Sequence, residues 1–230
     1  FILANVLFIL TSHDKLGDTG NPTGFYIDEM AAPYWALTDA GHDITIASVK
    51  GGKPPIDPNS LDDDPAKRPA PVTRFLDDAT ASAKLENTPA VATLDVADYD
   101  AVFLPGGHGT MWDFAKNDDI ARLVSGIYAK DGVVGAVCHG PAGLLGATKP
   151  DGTPLVAGLR VNGFTDSEEN TVGLTDQVPY LLESRLRELG GKFEGKDDWA
   201  AFAVTDGRLV TGQNPQSAEK VGEQLVAALA

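Results

Sequence analysis

Two short apolar runs, Ala101–Leu104 and Gly132–Val137, bracket a helical segment at Asn117–Lys130, and the second run passes directly into another helical stretch opened by Gly140-Pro141. Both runs are too short for helices and carry no polar face, the pattern of strands covered on both sides. Strand, helix, strand, helix in this order implies a parallel sheet, because parallel neighbours require a crossover and the crossover here is helical.

The rest of the chain extends that pattern. Phe1–Leu10 is continuously apolar and, with no basic n-region or small-residue cleavage site, is expected to be a central strand rather than a signal-peptide core. Phe25–Ala40 has helical spacing and is stopped by Gly41, and Asp43–Val49 is a second strand. Val72–Leu85 has weak helical periodicity, Val178–Gly190 is helical, and Pro215–Ala230 is the last helix. Trp199–Val204 and Arg208–Thr211 flank Asp206-Gly207, a two-residue hairpin signal. From about residue 51 to 97 an Asp- and Pro-rich excursion leaves the sheet. With no internal repeat or low-complexity linker, we expect one α/β domain over residues 1–230, a three-layer sandwich with helices on both faces of a mostly parallel sheet.

Charge excludes one class of partner. The formal net charge of -15 is opposite to what a phosphate-tracking surface needs, so no nucleic-acid partner is expected. No apolar run reaches the roughly 18 residues of a membrane span. The one cysteine cannot form an internal disulfide framework and agrees with a reducing compartment, so a cytoplasmic location is expected.

That cysteine, Cys138, ends the second run, within Ala136-Val137-Cys138-His139-Gly140. A small residue two before and a glycine two after a nucleophile are the signature of a sharp strand-to-helix elbow. A thiol there is predicted to sit at a helix N-terminus and to have a lowered pKa. The alternative is a buried inert cysteine; the junction and the adjacent His139 favour the reactive reading. The histidines are His13, His42, His108 and His139, so none lies downstream of position 139. Papain-type and true glutamine-amidotransferase sites take their base from a downstream histidine, and both orders are thereby excluded. An imidazole partner must be His139 or His108, with Glu168 or Glu169 available to orient it. The glycine-dense turn Pro105-Gly106-Gly107-His108-Gly109 fits no nucleotide motif and can present N–H groups to an oxyanion. The loop Thr11–Asp14 leaves a strand's carboxyl end and is a candidate wall of the site. His42 begins a strand and is structural, while spacing fixes no partner for His13. Glu29, in the first turns of a helix near the strand ends, is a candidate buried acid with a raised pKa. No zinc spacing occurs, and Asp62-Asp63-Asp64 lacks the alternation of a calcium loop, so no metal site is expected.

Five segments together resemble a known family. The elbow Ala136–Pro141 and Pro105–Gly109 resemble the PfpI-like branch of the class I glutamine-amidotransferase-like superfamily. Thr23–Glu29, Asn162-Gly163-Phe164 with Glu169, and Thr211–Pro215 resemble its heat-shock-chaperone-like glyoxalase III subgroup. The resemblance implies a flavodoxin-like sandwich and a homodimer that converts a small 2-oxoaldehyde, methylglyoxal, to D-lactate without glutathione, metal or cofactor. It implies Cys138 as nucleophile, His139 as its histidine, Glu169 as the orienting acid and Glu29 as the acid touching the thiol. It further implies the N–H groups of Gly107 and His139 as oxyanion donors, with Gly106 and His108 lining the substrate pocket. In the expected reaction the thiolate adds to the aldehyde, Glu29 shuttles a proton from C1 to C2, and water, with His139 as base, releases lactate. Deglycase or chaperone side activity is also implied. Two rival readings of the same residues are a cysteine-dependent amidase or peptidase and a redox-sensitive holdase chaperone in which Cys138 is oxidised.

Overall fold

The computed structural model describes residues 2–230; Phe1, with which the first predicted strand begins, lies outside the described residues. Six strands form one sheet: β1 (Asn5–Leu10), β2 (Asp43–Ser48), β3 (Ala101–Leu104), β4 (Val133–Val137), β7 (Ala203–Asp206) and β8 (Leu209–Gly212). They run in the order β2-β1-β3-β4-β8-β7, parallel throughout except for the edge hairpin β7–β8. A separate parallel pair joins β5 (Arg160–Val161) to β6 (Lys192–Phe193). Among the described residues there are eight α-helices: α1 (Ile27–Asp39), α2 (Ala70–Asp77), α3 (Ala79–Ala83), α4 (Thr110–Asp113), α5 (Asp118–Ala129), α6 (Asp166–Thr171), α7 (Leu182–Glu188) and α8 (Ala218–Leu229).

The layers follow from burial. β3 and β4 are buried at every position, so both faces of the sheet centre must be covered. α1 and α8 pack on each other over one face, with Leu225 against Gly135 of β4, and α5 packs against β3 and β4 from the other. α5 starts where Asn117 accepts hydrogen bonds from Asp119 and Ile120 N–H, both at 3.0 Å. Among the described residues no helix is long and apolar enough to cross a membrane.

Several predicted boundaries shift for local reasons. The first strand begins at Asn5, leaving Ile2 and Leu3 82% and 55% exposed. The weak helix at 72–85 is two helices, broken at Asp78, which leaves helical backbone and caps α3 through Ala81 N–H. The helix predicted over Val178–Gly190 is confined to α7. The hairpin register pairs Asp206 with Leu209, so Gly207-Arg208 makes the turn, with Gly207 at φ 59°, and Trp199 stays outside the strand. A 3₁₀ turn at Pro215–Ser217 precedes α8. After the elbow the chain forms a 3₁₀ run, Gly140–Leu144, rather than an α-helix.

Gly140 has no room for a side chain: a Cβ there would lie 1.9 Å from the Leu104 carbonyl oxygen, which is sheet backbone. Gly140→Ala is therefore expected to lower stability by at least about 1–3 kcal/mol in urea unfolding. It should also slow alkylation of Cys138 in the folded protein by displacing the elbow.

Candidate active site

The sheet places the site at the carboxyl ends of β3 and β4, where an open α/β sheet exposes its loops. Cys138 follows β4 directly and has φ 60°, a left-handed backbone that a non-glycine residue adopts at a cost of about 1–3 kcal/mol. Two bonds hold it: Cys138 N–H donates to Gly212 at 2.9 Å, and Phe164 N–H donates to the Cys138 carbonyl at 2.8 Å.

His139 turns back beside the thiol, its Nδ1 3.3 Å from Sγ. Its Nε2 lies 2.6 Å from Glu169 Oε2, and the other carboxylate oxygen, Oε1, lies 2.7 Å from His108 Nε2. One carboxylate thus joins two imidazoles whose ring centres are 4.0 Å apart. Burial alone would raise the Glu169 carboxyl, but the charge and hydrogen bonds of His139 and His108 outweigh it and hold the group well below the usual carboxylate range. Burial, followed by the neighbouring His108, lowers His139 against the pull of Glu169. We assign an ionised Glu169 and a neutral His139, because two N–H donors stabilise the carboxylate whether or not a ring is charged. Nε2–H of His139 then donates to Glu169, and Nδ1 faces the thiol as an acceptor.

Glu168 is equally buried and is used differently. It completes a capping box with Thr165 and accepts from Trp199 N–H at 3.0 Å and Asn214 Nδ2 at 2.9 Å. It makes no hydrogen bond to either histidine.

Glu29 comes from the first turn of α1, which is tied to the glycine turn by Tyr26 N–H donating to the Gly106 carbonyl at 3.1 Å. Its Oε1 accepts from Gly106 N–H at 2.9 Å; Oε2 has no partner of good hydrogen-bond geometry, and the carboxyl interacts directly with the Cys138 thiol. Burial pushes Glu29 well above the usual carboxylate range, with the thiol and the Gly106 N–H pulling back more weakly. Burial likewise pushes the Cys138 thiol up, and Glu29 adds to the push. The predicted lowering of the thiol is therefore corrected: the thiol is buried beside an acid, and the 3₁₀ run after it is five residues long, too short for a substantial dipole.

The turn Pro105–Gly109 fixes two further groups. Gly107 has φ 107°, and a Cβ on it would lie 2.1 Å from the Gly24 carbonyl oxygen, so only glycine fits. Neither Gly107 N–H nor His139 N–H donates to another group among the described residues, while the Thr110 hydroxyl ties the two segments through their carbonyls at 2.9 and 3.0 Å. Gly106, expected to line the pocket, does not: its N–H is taken by Glu29 and its Cα faces that carboxyl and His139 N.

Cys138, His139, Gly107 and His108 open onto a cavity of about 410 Å³. Its other walls come from remote loops: Leu16, Tyr26, Asp57, Asn59, Phe164, Val172, Leu174, Trp199, Pro215 and Gln216. None of these was expected as a wall: Tyr26, Phe164 and Pro215 lie in segments that carry the family resemblance, and the others lie where the sequence has no periodicity to mark them. The Thr11–Asp14 loop is not among them; only Leu16 beyond it reaches the cavity. The Tyr26 phenol, pushed up to about 12 by burial and then by Glu29 and Cys138, stays neutral. No Lys or Arg lines the cavity. His13 stacks on Trp112 outside it, and His42 accepts from Ala4 N–H through Nδ1. His108, His139 and Glu169 offer ligand-type atoms within 4.8 Å of one another, but these are spent on each other at hydrogen-bond distance.

This architecture has close relatives. The chain is 34% identical to Glyoxalase 3 of Candida albicans, over 98% of each sequence. It is 32% identical to the glutathione-independent glyoxalase HSP31 of Saccharomyces cerevisiae, over 97% of each. The crystal structure of the Rapid Encystment Protein REP24 of Francisella tularensis superposes with a TM-score of 0.93 at 38% identity, covering 99% of this chain and 100% of that one. A family profile matches residues 24–228. The chain, with its parallel sheet and cysteine elbow, belongs to the DJ-1/PfpI family.

Proposed function

We propose that the protein is a glutathione-independent glyoxalase that converts methylglyoxal to D-lactate, with Cys138 as nucleophile. The observation that carries the reading is the pairing of two acid–base systems on one thiol: His139 with Glu169 on one side, buried Glu29 on the other. Simple hydrolysis needs one such system, whereas moving a hydrogen between adjacent carbons needs a second with its own proton affinity. The names of the relatives, both glyoxalases, point the same way.

The neutral thiol gives its proton to His139 Nδ1 as Sγ bonds to the aldehyde carbon, so a raised thiol pKa does not prevent attack. The oxyanion that forms is held by the N–H groups of Gly107 and His139 and takes up that proton, giving a hemithioacetal. The ionised form of Glu29 removes the C1 hydrogen, yielding an enediolate, and returns that proton to C2, while the hydroxyl proton on the C1 oxygen passes to the C2 oxygen. A lactoyl thioester on Cys138 results, and water cleaves it. A carboxyl held above its usual range is matched to this task, since it must both take and give a proton near neutral pH.

Metal-free protein mixed with methylglyoxal and no glutathione is expected to yield D-lactate. Cys138→Ala should abolish it, and Glu29→Gln should reduce turnover by about 10²–10⁴. Lactate from either variant at the parent rate would refute the assignment.

The same acid has a thermodynamic signature. Folding raises the Glu29 pKa above its unfolded value of 4.5, so above that value the unfolded chain binds fewer protons than the native one and stability falls with rising pH. Glu29→Gln removes this slope. The variant is expected to match the parent near pH 4 and to become more stable towards neutrality, by up to about 1.4 kcal/mol per pH unit. A Gln variant less stable than the parent at pH 7 in urea unfolding would contradict the burial of an ionisable acid as the cause.

A further inference from the structure

The site contains two imidazoles on one carboxylate, and the steps above employ only His139. In the free enzyme both ring nitrogens of His139 are occupied, Nδ1 by the thiol and Nε2 by Glu169; its side chain is 1% exposed, so once Sγ is acylated Nδ1 still faces the sulfur in a buried position. The reaction expected from the family resemblance assigns the hydrolytic water to this ring, yet a base for water must meet water. His108 does. Its side chain is 16% exposed and lines the cavity together with Cys138. Its Nε2 is fixed on Glu169 at 2.7 Å, which leaves Nδ1 without a hydrogen-bond partner among the described residues and, in the neutral ring, able to accept a proton. The ring centre lies 4.0 Å from that of His139, which itself abuts Sγ, and His108 follows directly after Gly107, whose N–H donates to no group among the described residues.

We propose that His108 is a second catalytic histidine, the general base for the water that hydrolyses the lactoyl thioester on Cys138, leaving His139 to serve the thiol. The assignment rests on the glyoxalase reading above. Water loses one proton to His108 Nδ1 while its oxygen bonds to the thioester carbonyl carbon. Collapse of the tetrahedral intermediate re-forms the carbonyl and breaks the C–S bond. The new carboxylic acid gives its proton through His139 Nδ1 to the departing sulfur, restoring the thiol, and His108 releases the first proton to solvent at the cavity mouth. Glu169 holds both rings and stays ionised throughout.

The test is rapid-quench mixing of the full chain with methylglyoxal, followed by intact-mass analysis, for the parent and for His108→Gln, with the lactoyl thioester told from the isomeric hemithioacetal by its conversion to lactohydroxamate in hydroxylamine. Glutamine keeps an N–H donor for Glu169 and removes the base. The expected result is a burst of one equivalent of lactoyl-enzyme at the parent rate, then turnover reduced by about 10²–10⁴, with hydroxylamine restoring release because it needs no base. A burst slowed in proportion to turnover would make His108 a positioning residue and overturn the proposal, as would unchanged turnover. Cys138 alkylation at the parent rate verifies the fold of the variant, and His108→Asn provides the same readout should glutamine perturb it. A parent protein that forms neither adduct nor lactate would sink the glyoxalase reading and this assignment with it; a parent that turns over without a variant burst would sink only this one.

Discussion

The left-handed backbone at Cys138 is held by hydrogen bonds to two separate segments, its N–H donating to Gly212 at the end of β8 and its carbonyl accepting from Phe164 after β5. Each bond comes from a different side of the elbow, so the orientation of the thiol depends on the parallel pairing of β4 with β8 and on the return of the chain from β5. Gly140 contributes from below, where its missing side chain lets the chain lie on the Leu104 carbonyl. A backbone conformation costing about 1–3 kcal/mol is sustained because the surrounding sheet over-determines it.

Around this fixed point the polar groups divide into two systems with opposite proton affinities. Glu169 receives two N–H donors and stays ionised; Glu29 receives one, from Gly106, and its second oxygen lacks a partner of good geometry. The difference lies in what each helix brings. α6 enters opposite two histidines, whereas α1 enters beneath a turn that gives Glu29 a single N–H, that of Gly106. An incompletely satisfied buried acid lowers stability, and its retention beside a thiol is the kind of local conflict that marks a functional site.

Much of this was legible in the sequence because it follows from short-range rules. The β3–β4 unit appeared from two apolar runs and the helix between them, and the elbow from small residues around Cys138. The choice between Glu168 and Glu169 was also available: Thr165-x-x-Glu168 is a capping-box pattern, which commits Glu168 to the helix start and leaves its neighbour to face the histidines. What could not be read is what depends on long-range packing. The lowered thiol pKa failed because a Gly-Pro opening does not distinguish a 3₁₀ run from an α-helix and spacing does not report burial. The bond from Gly106 to Glu29 spans 77 positions, and the cavity walls come from loops scattered between Leu16 and Gln216.

The cavity carries Asp57 on its wall, Glu169 behind its histidines and no cationic side chain. A neutral carbonyl compound enters such a space without electrostatic penalty, but the proposed reaction turns it into an anion inside. For that reaction, a wall that carries a carboxylate and no cation is indifferent to the incoming molecule and unfavourable to the outgoing one, so charge assists the departure of the acid.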